Sequence, residues 1–243
     1  MGQDRNSMNR FFAFVTILML GVPVTSLRAE NAPVVVELYT SQGCSACPPA
    51  DALLARLGDY EDIIPLALHV DYWDYIGWKD KFAMPAFTKR QKAYAHSLGT
   101  NIIYTPQMVI NGSDSVVGTR TMDVSDLVQA HKAKGLPAKL DIDRADGILT
   151  IKSRPNSHIT AAAAGADVIV VRYRPSATVD VARGENAGKT LAHSFIVTEW
   201  TDVGDWDGAS ELSQAVPVEG PRPIVVLVQE KGHGAIFAAA RLR

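Results

Sequence analysis

Two cysteines are all the chain has. That scarcity excludes a disulfide-dense scaffold, which in a small exported domain uses several cross-links to close long loops. The two lie three positions apart, as Cys44 and Cys47, and no second cysteine pair exists to complete a tetrahedral zinc site. Basic clusters are missing too: 24 Lys and Arg stand against 26 Asp and Glu, with no basic run and no basic stripe interleaved with aromatics. Such a surface cannot track a phosphate backbone, so nucleic acid is not an expected partner. Beyond residue 30 no apolar run approaches the roughly 20 residues of a spanning helix, so stable membrane insertion of the body is not expected. What is present is an ordinary globular composition, 47% hydrophobic over 243 residues, enough for one large core or two modest ones.

The first residues read as a targeting segment. Arg5 and Arg10 precede the apolar run Phe11 to Val24, which breaks into the more polar Thr25–Ala29, the pattern of a secretory signal peptide. Residues 1–29 are assigned to it, with cleavage expected near Ala29. The alternative, an uncleaved anchor, suits the run less well because it is shorter than the roughly 20 residues needed to span. The remaining chain carries a net charge of about −4 and is expected in a secreted or periplasmic location.

Val34 to Tyr39 is a β-branched run after Pro33 that predicts a buried strand with one acid, Glu37, inside it. Thr40 to Gly43 turns the chain, and Pro48 to Leu57 predicts a helix with Leu53, Leu54 and Leu57 on one face, stopped by Gly58. Both cysteines fall in this strand-to-helix turn. Ile63 to Val70 predicts a second strand, Pro85 to Leu98 a helix, Gln107–Ile110 and Ser115–Gly118 a hairpin about Asn111–Gly112, and Asp123 to Lys134 a last helix. The order is βαβαββα over residues 32–136. Gly135–Leu136–Pro137 then reads as a boundary, since strand period dominates afterwards. Strands are expected at Lys139–Asp143, Ile148–Lys152, Val168–Tyr173, Thr178–Ala182, Leu191–Glu199, Ile224–Gln229 and Ala235–Ala240, forming an antiparallel, sandwich-like all-β domain over residues 138–243.

Bridging so few residues removes little unfolded-state entropy, so stability is a poor reason for the Cys44 and Cys47 pair. A Cys-x-x-Cys at a helix start places the first sulfur where unpaired N–H groups and the positive end of the dipole favour a thiolate. Cys44 is expected to be the thiolate that attacks a substrate disulfide, forming a mixed disulfide that Cys47 resolves. An inert buried pair, or half of a metal site, are the alternatives.

Val36–Glu37–Leu38–Tyr39–Thr40–Ser41–Gln42–Gly43–Cys44–Ser45–Ala46–Cys47–Pro48–Pro49–Ala50–Asp51, followed by His69–Val70–Asp71–Tyr72–Trp73–Asp74 and Tyr104–Thr105–Pro106–Gln107–Met108–Val109, resembles the secreted bacterial family called domain of unknown function 1223. That resemblance implies a thioredoxin-like fold and leaves the reaction open. The wider thioredoxin resemblance implies a cis proline at Pro106, with the Thr105 backbone holding an extended peptide beside Cys44. It also implies that Glu37, one residue further from the first cysteine than the acid buried in thioredoxins, exchanges a proton with Cys47, provided that strand alternation turns it inward. The chain departs from thioredoxins in having Ser45–Ala46 between the cysteines and two prolines directly after them. The regular helix is therefore expected to begin near Pro48, leaving Cys44 fewer N–H groups.

Gly43 leaves room for a partner's backbone. The loop His69 to Trp78 is expected on the same edge as the motif, with Tyr72, Trp73, Tyr75 and Trp78 lining a groove for a peptide or an apolar ligand and Asp71 and Asp74 at its rim, mixed with a blander role in which two of the aromatics cover the core and Asp71 or Asp74 caps a helix. His69 keeps a Cu(I) carrier reading open, with Cys44 and Cys47 as the other ligands. His96, His158, His193 and His233 read as solvent-facing or structural. Arg183 to Thr190 resembles a phosphate loop only superficially and reads as a hairpin loop. The expected function is thiol–disulfide exchange with protein or small-molecule thiols, with no cofactor beyond the Cys44 and Cys47 pair; a copper carrier and a non-catalytic binding module are the alternatives.

Overall fold

β1 (Val34–Thr40) and β2 (Ile63–His69) are buried along their whole lengths, which is why their sequences are near-continuous apolar runs: a central parallel pair is covered on both faces. They are seen in a computed structural model that describes residues 1–2, 32–160 and 165–243. The expected signal segment, apart from residues 1–2, lies outside the described residues.

The order after β1 is α1 (Pro48–Leu57), β2, a single 3-10 turn (Asp74–Ile76), α2 (Pro85–Ser97), β3 (Gln107–Ile110), β4 (Asp114–Val117) and α3 (Thr121–Lys134). β1 pairs parallel with β2 and antiparallel with β3, and β3 turns back on β4 through Asn111 and Gly112, both at positive φ. The remainder is β5 (Asp141–Ala145), β6 (Ile148–Ser153), the short α4 (Ser157–Thr160), β7 (Ala166–Asp180), β8 (Thr190–Trp206), β9 (Leu212–Pro217), β10 (Ile224–Glu230) and β11 (Ile236–Leu242).

These elements make a mixed α/β fold dominated by one eight-stranded sheet, in the order β11-β10-β7-β8-β2-β1-β3-β4, with a second antiparallel sheet β5-β6-β9. The strands expected to form a separate sandwich are thus divided. β7, β8, β10 and β11 extend the sheet begun by β1 to β4, joined where Ala67 of β2 meets Ile196 of β8, and Asn31 to Arg243 is one compact unit. Leu136, in the segment read as a boundary, packs into the shared core. Two expected strands, Val168–Tyr173 and Thr178–Ala182, are one: Pro175 reads as a breaker, yet the β7–β8 register continues from Arg174↔Ile196 to Ser176↔Ser194 across it. β9 was not anticipated, because Leu-Ser-Gln-Ala-Val-Pro contains little β-branched residue content and alternates only weakly.

Strand alternation sorts the core. Val35, Tyr39, Leu66 and Leu68 join Val171, Val225 and Leu227 against Phe87 and Tyr94 of α2. The even-numbered residues of β1, Val34, Val36 and Leu38, instead meet Leu53 and Leu54 of α1 and Val124 and Val128 of α3. Ile224, Val226 and Val228 of β10 meet Leu149, Ile151 and Leu212 of the small sheet. Each cluster is continuous apolar packing, and α2 covers strands from both halves of the chain.

Candidate redox site

Two prolines open α1, where their missing N–H groups cost nothing. Cys47 is the N-cap residue and already helical in backbone (φ −78, ψ −35), so the regular helix begins at Pro48. Between β1 and α1 the chain makes two tight turns, with the Cys44 N–H donating to Ser41 O (3.1 Å) and the Cys47 N–H to Cys44 O (3.2 Å). These turns set the two Cα atoms 5.4 Å apart and the cysteines are joined as a disulfide. The N–H groups that would favour a Cys44 thiolate are thereby depleted: Pro48 and Pro49 have none, and those of Ala50 and Asp51 donate to Cys47 O.

Both cysteines are buried, Cys44 at 1% and Cys47 at 0% exposure, while Ser45 and Ala46 between them are exposed. A principal cover is the loop between β7 and β8. Asn186 is fully buried and its Nδ2 donates to Gln42 O and to Cys44 O, each at 3.0 Å. The Ser45 N–H donates to Glu185 Oε2 (3.2 Å), and hydrogen bonds from Ser45, side chain first and backbone second, hold the Glu185 carboxyl below its ordinary pKa. Arg183 to Thr190 is therefore a hairpin loop that closes on the turn carrying both cysteines. No local pattern announces this, because Asn and Glu in a glycine-flanked loop look like any solvated turn.

On the other side lies Pro106. The Thr105–Pro106 bond is cis, Pro106 O accepts the Gly118 N–H, and a Cβ placed at Gly118 would meet Ala50 at 3.0 Å and Pro106 at 3.3 Å. Pro106 thus flanks the first turn of α1. Thr105 Oγ1 accepts a hydrogen bond from Trp73 Nε1 (2.7 Å), tying the aromatic loop to this segment. Tyr72 and Trp73 are half-buried against the core rather than walls of an open groove; exposed Tyr75 stacks on Trp73. Asp71 accepts from Thr88 Oγ1 and Asp74 from the Asp80 N–H. Gly43 does not leave space for a partner: a Cβ there would lie 3.0 Å from Trp73 Cβ and 3.1 Å from Ile76 Cδ1.

Glu37 is not beside Cys47. Alternation turns it to the α2 face of the sheet, away from α1, where it accepts from Arg90 Nε (2.8 Å), Arg90 Nη2 (2.9 Å) and Tyr94 OH (2.7 Å). Burial opposes the charge of Arg90, but the Glu37 carboxylate outweighs it and holds the guanidinium above its ordinary pKa. The acid on the α1 face is Asp51, which follows Cys47 by one helical turn and accepts from Thr40 Oγ1 (3.1 Å). His193 Nδ1 lies 3.6 Å from Asp51 Oδ1, and its ring packs edge-on to that of His69 at 4.8 Å. Of the two expectations for His193, solvent-facing or structural, burial excludes the first: it is buried, as are His69, Asp80 and Asp51. His69 Nδ1 pairs with Asp80 Oδ2 at 2.7 Å, while His69 Nε2 and both His193 nitrogens have no hydrogen-bond partner among the described residues. Burial pushes the Asp80 carboxyl up, but His69 and the N–H groups of Gln42 and Phe82 outweigh it and hold Asp80 below its ordinary value. Among the described residues no three His, Cys, Asp or Glu side chains are grouped to hold a metal, so Cys44, Cys47 and His69 do not form a ligand set in this arrangement.

Residues 35–229 match a family described as a protein of unknown function (DUF1223). No curated protein matches. Among solved structures, the crystal structure of an Agrobacterium tumefaciens protein is similar at 33% identity and a TM-score of 0.75, over 88% of this chain and 96% of that one. HBP35 of Porphyromonas gingivalis is similar in fold alone, with a TM-score of 0.61 at 14% identity over 87% of this chain and 75% of that one.

Proposed function

The chain belongs to the DUF1223 family, whose function is unknown, and we propose that it is an exported thiol–disulfide oxidoreductase of thioredoxin-like architecture working through Cys44 and Cys47. The observation that carries this reading is a disulfide closing a ring of four residues in the turn between a central strand and α1. So short a ring offers little cross-linking benefit, which leaves sulfur exchange as the use to which such a pair is suited. Pro106, which neighbours the first turn of α1 across Gly118, supports a peptide-binding edge there with Thr105 before it. The thioredoxin-like reading is supported by the βαβαββα order and by β1 sitting between β2 and β3. Export is supported by the amino-terminal charge and hydropathy pattern and by a bonded cysteine pair, which persists in oxidising compartments.

In one turnover a partner thiolate attacks Cys44 Sγ, the Cys44–Cys47 bond breaks, and Cys47 leaves as a thiolate that takes up a proton. A second partner thiolate then releases Cys44, so the protein disulfide is reduced and two partner thiols are oxidised to a disulfide. Burial of both sulfurs favours a second reading, a static bridge in a binding module. Reduction of the folded protein by dithiothreitol, followed by alkylation, with insulin reduction measured alongside, separates the two. Exchange predicts reduction without unfolding and insulin turnover abolished by Cys44→Ser. A disulfide that yields only when the protein is unfolded overturns it.

A further inference from the structure

We propose that the loop Arg183–Gly188 is a strap that shuts the Cys44–Cys47 pair from solvent and must lift before a partner thiol reaches Cys44. The inference rests on the exchange reading above and names how that site is regulated.

Asn186 is the latch. A carboxamide at the tip of a loop would ordinarily be solvated, and burying it completely is unfavourable unless its hydrogens are matched. Both are: the two partners are the carbonyl oxygens of Gln42 and Cys44, which only accept, so the amide nitrogen has to face them. The remaining oxygen accepts from Lys189 Nζ at 3.0 Å, just past the end of the strap. Glu185 adds a second tie through the Ser45 N–H. The two Asn186 donor bonds and the Glu185 tie all end on the cysteine turn, at backbone atoms from Gln42 to Ser45.

The strap is also built to be separable. Its stem is closed by the Val181 N–H to Lys189 O and the Gly188 N–H to Val181 O, and the apolar residues beneath, Val179, Val181 and Leu191, form a small cluster with Trp78 and Phe82 apart from the three larger ones. Gly184, at φ +79, lets the loop lie flat on Ile76 and Trp78, whose side-chain atoms would stand 3.3 and 3.4 Å from any Cβ. Arg183, Glu185, Ala187 and Gly188 are exposed. When the strap lifts, the carbonyls of Gln42 and Cys44 become acceptors that the backbone N–H groups of an extended peptide can fill, so a protein partner replaces what the strap supplies.

The test is the rate at which dithiothreitol reduces Cys44–Cys47 in the folded protein, read as a mass shift after maleimide quenching. Wild type is compared with Asn186→Ala, Asn186→Asp and Glu185→Ala, with circular dichroism and melting recorded for each. Loss of both Asn186 donors is expected to raise the rate about tenfold, the lower range for two neutral hydrogen bonds. Loss of the Glu185 tie, at the surface, is expected to raise it about twofold; because its side chain is exposed, this variant carries the test if those at Asn186 fail to fold. Equal rates in wild type and folded variants overturn the strap while leaving exchange standing. A disulfide inert in wild type and in every folded variant overturns both.

Discussion

The buried Glu37–Arg90 pair allows a prediction that separates architecture from chemistry. Glu37 is fully buried and Arg90 is 6% exposed. Beyond Glu37 the guanidinium Nη2 donates to Gln229 Oε1 (2.9 Å) of β10, and its centre sits 3.9 Å from the Trp200 ring of β8. The network therefore pins α2 to strands from both halves of the chain. Arg90→Met keeps most of the volume but leaves a buried carboxylate with only Tyr94 and Tyr39 as donors. Breaking a buried pair in this way costs about 3–5 kcal/mol, which for a unit of this size lowers the melting temperature by roughly 6–20 °C. Glu37→Met, which strands the guanidinium instead, is expected to cost about as much. Because the penalty is an uncompensated charge, the double variant is expected to be no worse than either single one, with Gln229 and Tyr94 pairing together. Chemical unfolding followed by tryptophan fluorescence measures all three. Additive losses in the double variant, or single losses below about 1 kcal/mol, refute the reasoning. The dithiothreitol reduction rate of folded Glu37→Met is expected to match wild type, since Glu37 and α1 lie on opposite faces of β1; a changed pH profile for reduction would restore Glu37 to the chemistry.

Two further outcomes follow from the site. Asp80 has a depressed pKa in the folded state, so its contribution to stability is complete above the ordinary carboxylate value of about 4 and is lost as pH falls through the lower folded value; unfolding titrations across that window are expected to be flatter in Asp80→Asn, and an unchanged slope refutes this. Gly43→Ala is expected to destabilise by about 1–3 kcal/mol through overpacking against Trp73 and Ile76, checked by thermal melting, with an unchanged midpoint the contrary result.

The strand-to-helix turn was legible because its signals are local. A β-branched run, a turn, two prolines and Leu53, Leu54 and Leu57 at helical spacing identify β1 and α1 from adjacent residues, and both cysteines fall between them. The face of Glu37 was not legible, because alternation says which residues share a face and leaves open which helix covers it. The separate second domain was an overreading of strand period. β7, β8, β10 and β11 have the pattern of an independent sheet, yet a sheet edge left unpaired is a liability, and β8 pairs with β2 instead.

By itself the sequence determined the order of elements from β1 to α3 and that the only two cysteines share one turn, because backbone propensity, apolar period and turn chemistry act over a few residues. Tertiary structure alone decided that Asn186, 142 positions from Cys44, caps that turn, and that His193 packs on His69. Contacts of that kind arise from burying apolar faces elsewhere in the fold, and the polar groups carried along are matched only once those faces have met.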